Sequence, residues 1–206
     1  MKVTELMGLK LVHNATSDIT GEILDIVFRA SLEEAEFFLV DVKTSAGTAP
    51  ILIGPTVLTM VNGQLTLSAH EDDVRSRVAA SIERADVPVD PSHLPNTVIG
   101  PFGNTFSPTM MAALFNRRRG IDRTALAVEE SGVWFSELQD HAVCAHLANI
   151  ARVKDVVLDD GLLRCDQIEL VTTDGSQKIT TPAEIHVTRA PDDALVLSIG
   201  LPENST

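Results

Sequence analysis

The strongest constraint on this chain is a pair of short apolar runs that occurs twice. The first pair is Gly21-Glu22-Ile23-Leu24-Asp25-Ile26-Val27-Phe28 and, after a polar break, Phe37-Phe38-Leu39-Val40-Asp41-Val42. Each run has strand length and is rich in β-branched, Leu and Phe side chains, and each ends in turn-forming residues, Arg29-Ala30-Ser31 and Lys43-Thr44-Ser45-Ala46-Gly47. A hairpin is the simplest connection. A weaker version follows at Ala151 to Leu158, then Asp159-Asp160-Gly161, then Gln167 to Thr172. A hairpin cannot bury its apolar side chains alone, so a duplicated one predicts two small β units in tandem.

The surrounding residues extend the repeat. Thr4-Glu5-Leu6 and Ser136-Glu137-Leu138 each put a hydroxyl and an acid before a short strand, which is the chemistry of a helical turn capped by its own hydroxyl. Pro50 to Pro55 and Gln177 to Pro182 are each a short strand stopped by proline. Val57 to Val61 and Gln64 to Leu67 flank Asn62-Gly63, the signal of a two-residue type I′ turn. The second copy ends likewise, with Ile185 to Thr188 and Ala194 to Ile199 around Pro191-Asp192-Asp193. Closely spaced short strands with turns between them predict a mainly β fold: two small antiparallel β-barrels over residues 1–69 and 133–202. Ser68 and Glu71 have capping-box spacing, and Val74, Val78 and Ile82 share one face of a helix that should run to Arg84 and lie on a barrel. Pro88, Pro91, Pro95, Pro101, Gly100 and Gly103 mark a linker. Ser107-Pro108 and Gly120 bracket a helix inside it, over residues 108–119. The expected organisation is therefore 1–86, a linker 87–132, and 133–206.

The order short strand, Gly-Glu-Ile-x-Asp-x-x-Phe from Gly21 to Phe28, Leu39-Val40-Asp41-Val42, proline-stopped strand and terminal hairpin resembles the PRC-barrel family. Members include the cytoplasmic domain of the photosynthetic reaction-centre H subunit and the C-terminal domain of a ribosome maturation factor. The resemblance covers residues 4–86 well and 136–201 more faintly; the second copy has Ala151 where the family usually places glycine. It implies a PRC-type fold and a non-catalytic adaptor that binds other proteins. A modulator of electron or proton transfer at a membrane surface, as in the reaction-centre case, is an alternative that it also implies.

A net charge of -13 and a pI near 4.7 argue against nucleic acid as partner, because phosphate neutralisation needs clustered Lys and Arg. Cys144 and Cys165 have neither CxxC nor His-rich spacing and are expected as reduced thiols. No stretch of 18 apolar residues and no leader-like apolar core occurs, so the expectation is a cytoplasmic protein without stable membrane insertion. Arg117-Arg118-Arg119, Arg123 and the stripe Met110, Met111, Leu114, Phe115 could meet an anionic membrane, but are expected to pack on a barrel instead.

No nucleophile–base pair, metal pattern or phosphate cradle stands out, so no enzyme, catalytic residue, cofactor or metal is expected. His141 and His146 should point to opposite faces of a short strand, and His13, His70, His93 and His186 are expected at the surface. Asp25 and Asp155 are the polar positions repeated inside strands. They are expected as outward or rim residues accepting backbone N–H bonds; the alternative is a small-molecule or metal-binding sensor at the junction of the two barrels, with Asp25, Asp155 or the histidines as ligands. Strict alternation puts Ile23 and Val27 on one face of the first hairpin and Leu24, Ile26 and Phe28 on the other, with Phe37 and Leu39 opposite Phe38, Val40 and Val42. One face should fill the barrel and the other should need a cover. Leu24, Ile26, Phe28, Phe38, Val40 and Val42 are accordingly the candidate interaction surface, with a homodimer and an unidentified protein as partners.

Overall fold

The computed structural model describes residues 1–85, 98–99, 105–106, 132–145, 148–190 and 194–199. The expected linker helix, Arg117 to Arg119, the turn at Pro191 and the residues His93 and His146 lie outside them. The N-terminal half opens with α1 (Val3–Leu6). It continues through β1 (Lys10–His13), β2 (Thr20–Phe28), β3 (Ala35–Thr44), β4 (Gly47–Ile53), a 3-10 turn (Pro55–Val57), β5 (Leu58–Val61), β6 (Gln64–Leu67) and α2 (Glu71–Ala85). β7 (Val98–Ile99) and β8 (Thr105–Phe106) pair only with each other among the described residues. The C-terminal half runs β9 (Val133–Trp134), α3 (Phe135–Leu138), β10 (Ala142–Ala145), β11 (Ala148–Leu158), β12 (Cys165–Thr172), β13 (Gln177–Thr180), a second 3-10 turn (Pro182–Glu184), β14 (Ile185–Arg189) and β15 (Leu195–Ile199).

The strands form two separate mixed sheets with the same internal order, β4-β3-β2-β1-β6-β5 and β13-β12-β11-β10-β15-β14. This corrects the expectation of wholly antiparallel ladders. In each half the first strand lies between the second and the last, and the last runs in the same direction, so β1 pairs parallel with β6 and β10 parallel with β15. The sheets are open: among the described residues no ladder joins β4 to β5 or β13 to β14.

The central hairpins are not regular. Between Ile23 and Asp25 the β2–β3 register shifts, so Leu24 and Asp25 together oppose Leu39. Lys154 and Asp155 together oppose Glu169 in the same way. One extra residue reverses the parity of everything beyond it. Ile23 therefore shares the main core with Ile26, Phe28, Phe38, Val40 and Val42, while Val27 and Leu39 form a second cluster with Trp134. The strict alternation expected from the sequence fails at this bulge. At the tips of the two hairpins Leu32 and Leu162 both have φ of 58° with side chains 2% and 1% exposed. A left-handed leucine costs about 1 kcal/mol, which burial of the side chain outweighs.

A single apolar cluster runs through both halves, from Leu6, Phe28 and Phe38 to Val143, Leu170 and Leu197. α2 lies on β4: Val74 and Val78 are buried, and Ser81 Oγ donates to the Pro50 carbonyl at 2.9 Å. Gly47 permits this approach, since a Cβ there would lie 2.9 Å from Ile82 Cδ1. The helix starts at Glu71, and Ser68 Oγ donates to the Val57 carbonyl, so the capping box expected from Ser68 is not the one formed. The matching positions of the C-terminal half are more polar. Where β4 aligns Ile53 and Ile51 with Phe38 and Val40, β13 aligns Thr180 and Lys178 with Ile168 and Leu170.

Candidate functional site

The repeated aspartates are buried, not on a rim, with Asp25 2% and Asp155 3% exposed. Each reaches across to the other half. Asp25 Oδ1 accepts the N–H of Ile26 at 2.9 Å and of Ser136 at 3.2 Å, and its Oδ2 accepts the Ser136 hydroxyl at 2.7 Å. Asp155 Oδ1 accepts the N–H of Val156 at 2.9 Å and of Thr4 at 3.2 Å, and its Oδ2 accepts the Thr4 hydroxyl. A carboxylate can accept on both oxygens, which suits the amides and the hydroxyl that point at each aspartate. Thr4 and Ser136 are therefore not the local caps expected from the sequence. The residue before each short helix is Lys2 or Trp134, and the acid, Glu5 or Glu137, accepts its N–H at 3.3 Å.

These clamps belong to a seam with approximate twofold symmetry. Ala35 N–H donates to the Leu163 carbonyl at 2.8 Å, and Cys165 N–H donates to the Glu33 carbonyl at 2.9 Å. β9 adds to the end of β2, Val27 facing Trp134 and Phe28 facing Val133, while Lys2 makes the equivalent bridge to Val157. The side chains differ at this last pair. Trp134, 6% exposed, clusters with Val27 and Leu39. Lys2 Nζ instead lies 2.7 Å from Glu169 Oε1, and that carboxylate raises the lysine pKa.

Of the candidate interaction residues, Ile26, Phe28, Phe38, Val40 and Val42 are fully buried in the chain's own core, and only Leu24 is half-buried. Phe37 and Leu52, missed in the sequence, are half-buried beside it against Val27, Leu39 and Trp134. The bulge explains the exchange, because it turns Leu24 away from the set to which Phe38 and Val40 belong.

The remaining titratable groups with shifted pKa values serve turns, sheets or the core. The Asp174 carboxyl is held down to about 2 by the hydroxyl of Thr172 and the N–H and hydroxyl of Ser176 in an exposed turn. Burial pushes the Cys165 thiol up to about 12, so it stays protonated and inert. His13 is buried, contrary to the surface position expected: its Nδ1 accepts Ala15 N–H at 3.1 Å and its Nε2 meets the Ala69 carbonyl at 2.7 Å. His70 and His186 are exposed.

Asp41 faces Glu22 across β2 and β3, and burial followed by the neighbouring carboxylate raises its pKa. The ionised form is thus disfavoured by folding. The resulting cost is absent below the unfolded pKa of about 3.9, grows as pH rises to the folded value, and is constant above it. Asp41→Asn should raise the melting temperature at pH 7, with the gain shrinking as pH falls toward 4; thermal melts across pH check this, and a pH-independent effect would contradict it.

Among the described residues no group of three or more His, Cys, Asp or Glu side chains comes together, and no helix is long and apolar enough to cross a membrane. A groove of about 360 Å³ lies between α2 and the N-terminal sheet, floored by Ile53, Leu67 and Val74 and rimmed by His70, Asp73 and Arg77. It is lined by the N-terminal half alone and includes neither Asp25 nor Asp155. No family model matches this chain, and no curated protein matches it.

Proposed function

We propose that this chain is a non-enzymatic protein-interaction module of the PRC-barrel type, each mixed sheet being one barrel-like unit. The observation that carries this reading is how Asp25 and Asp155 are used. Both oxygens of each are spent on amides and a hydroxyl that hold the halves together, so the repeated polar positions serve assembly and not acid–base chemistry. The apolar side chains left partly open, Leu24, Phe37 and Leu52 around Trp134, supply a contact surface. The proposed partners are a second copy of this chain and another protein. Light scattering at micromolar concentration should give a mass near twice 22.2 kDa, and Leu24→Glu should return it to one chain without unfolding. A concentration-independent mass of one chain refutes self-association. If a photo-crosslinker at position 24 then also captures no protein in host extract, the interaction reading fails.

The groove beside α2 supports a second reading, a small-molecule sensor, since it combines an apolar floor with a few convergent polar groups. Thermal-shift screening against metabolites tests it. Stabilisation by one ligand that Arg77→Ala abolishes and Leu24→Glu leaves unchanged would favour the sensor.

A further inference from the structure

We propose that the two halves are a matched pair of recognition surfaces that associate without the connecting segment, and that the code for pairing unlike halves lies in the residues just before and at the start of the two short helices. The seam contains two kinds of contact. One kind is common to both sides: a hydroxyl and amide on a buried aspartate, the Ala35 and Cys165 amides on opposing carbonyls, and a left-handed leucine at each hairpin tip. These contacts would be satisfied whichever halves met. They supply affinity and no discrimination.

The second kind differs between the sides. α3 brings Trp134 and Phe135 onto β2, where Val27 and Leu39 receive the indole. α1 brings Lys2 and Val3 onto β11, where Glu169 receives the ammonium. If two N-terminal halves met through the same contacts, Lys2 would lie against Val27 and Leu39 without its carboxylate, and Val3 would stand where Phe135 now fills the core. If two C-terminal halves met, Trp134 would lie against Glu169, and Phe135 would be forced into the space that Val3 occupies. The space left by Phe135 in an N–N pair, and in a C–C pair the overfilled space at Val3 with Trp134 set against Glu169, are unfavourable, so like pairs are rejected while the unlike pair is matched at both ends. The partner that each surface fits is thus defined by chemistry. The N-terminal sheet selects an incoming aromatic pair, and the C-terminal sheet selects an incoming cation followed by a small apolar residue.

A specific protease site inserted within residues 87–131 of the full chain tests this, with complete cleavage verified under denaturing conditions and the products weighed by native mass spectrometry. The expected result is one species holding one N-terminal and one C-terminal fragment per seam. Separated fragments, or pairs of like fragments sharing a seam, would overturn the proposal. Exchanging the code by Lys2→Trp, Val3→Phe, Trp134→Lys and Phe135→Val in the same cleavable chain should switch the products to N–N and C–C pairs. Retention of unlike pairs with an unchanged melting temperature would show that these positions do not discriminate. The cleavable chains carry Leu24→Glu, so association through that surface does not enter the composition that is read.

Discussion

Asp25→Ala is expected to lower the melting temperature by roughly 6–12 °C, the equivalent of about 3 kcal/mol in a domain of this size. The carboxylate is buried, and the amides of Ile26 and Ser136 and the Ser136 hydroxyl donate to it. Alanine leaves those donors facing each other in a space without an acceptor, and an unsatisfied buried donor costs about 1–3 kcal/mol. Asp25→Asn should be milder, near 1 kcal/mol, because its carbonyl still accepts the two amides and the serine hydroxyl can turn to accept from the side-chain NH₂. Asp155→Ala should reproduce the alanine effect from the other side through Thr4 and Val156. Thermal denaturation followed by circular dichroism measures all three. A shift of less than 2 °C for both alanine variants would mean that the clamps do not hold the seam.

The clamps also mark where sequence reasoning stops. Asn62-Gly63 was legible as a tight turn because its demands are local: φ of 51° and 77° at two adjacent residues, which Asn and Gly tolerate. Strand existence and proline stops were legible for the same reason. Thr4 and Ser136 had the look of local caps, yet their partners lie 151 and 111 residues away, and nothing in a three-residue window reports that. The bulge at Leu24 was hidden by strict counting, although Ile23-Leu24-Asp25-Ile26-Val27 and Val153-Lys154-Asp155-Val156-Val157 carry the same irregular spacing of apolar residues around an aspartate. That shared pattern was the available signal. Strict alternation places the face that needs a cover on Leu24, Ile26, Phe28, Phe38, Val40 and Val42, whereas all of these but Leu24 fill the main core and the covered outer face is that of Val27 and Leu39. Trp134 belongs to the other half, and only the fold of β9 onto β2 brings it there.

Trp134→Ala should be the most damaging single truncation at the seam, costing about 4 kcal/mol and lowering the melting temperature by roughly 8–16 °C. The indole is nearly fully buried against Val27 and Leu39, both with no exposed surface, and its backbone pairs with Val27. Alanine removes that area and leaves a void between two strands whose backbone pairing resists collapse into it. Lys2→Ala at the equivalent position should change the melting temperature little, because the Lys2–Glu169 pair is partly exposed, with side chains 38% and 16% accessible, and screened by water. The aromatic end of the seam therefore carries more of its stability than the charged end. Because Trp134 is the sole tryptophan, its emission in the wild-type chain reports on the seam directly. It should be blue-shifted in the native state and move to the red together with loss of the β-sheet signal, since the apolar core is continuous across the seam. A red shift that precedes loss of the sheet signal would mean that the halves part before either unfolds, and a Trp134→Ala chain melting within 2 °C of wild type would mean that the indole is not what covers the outer face.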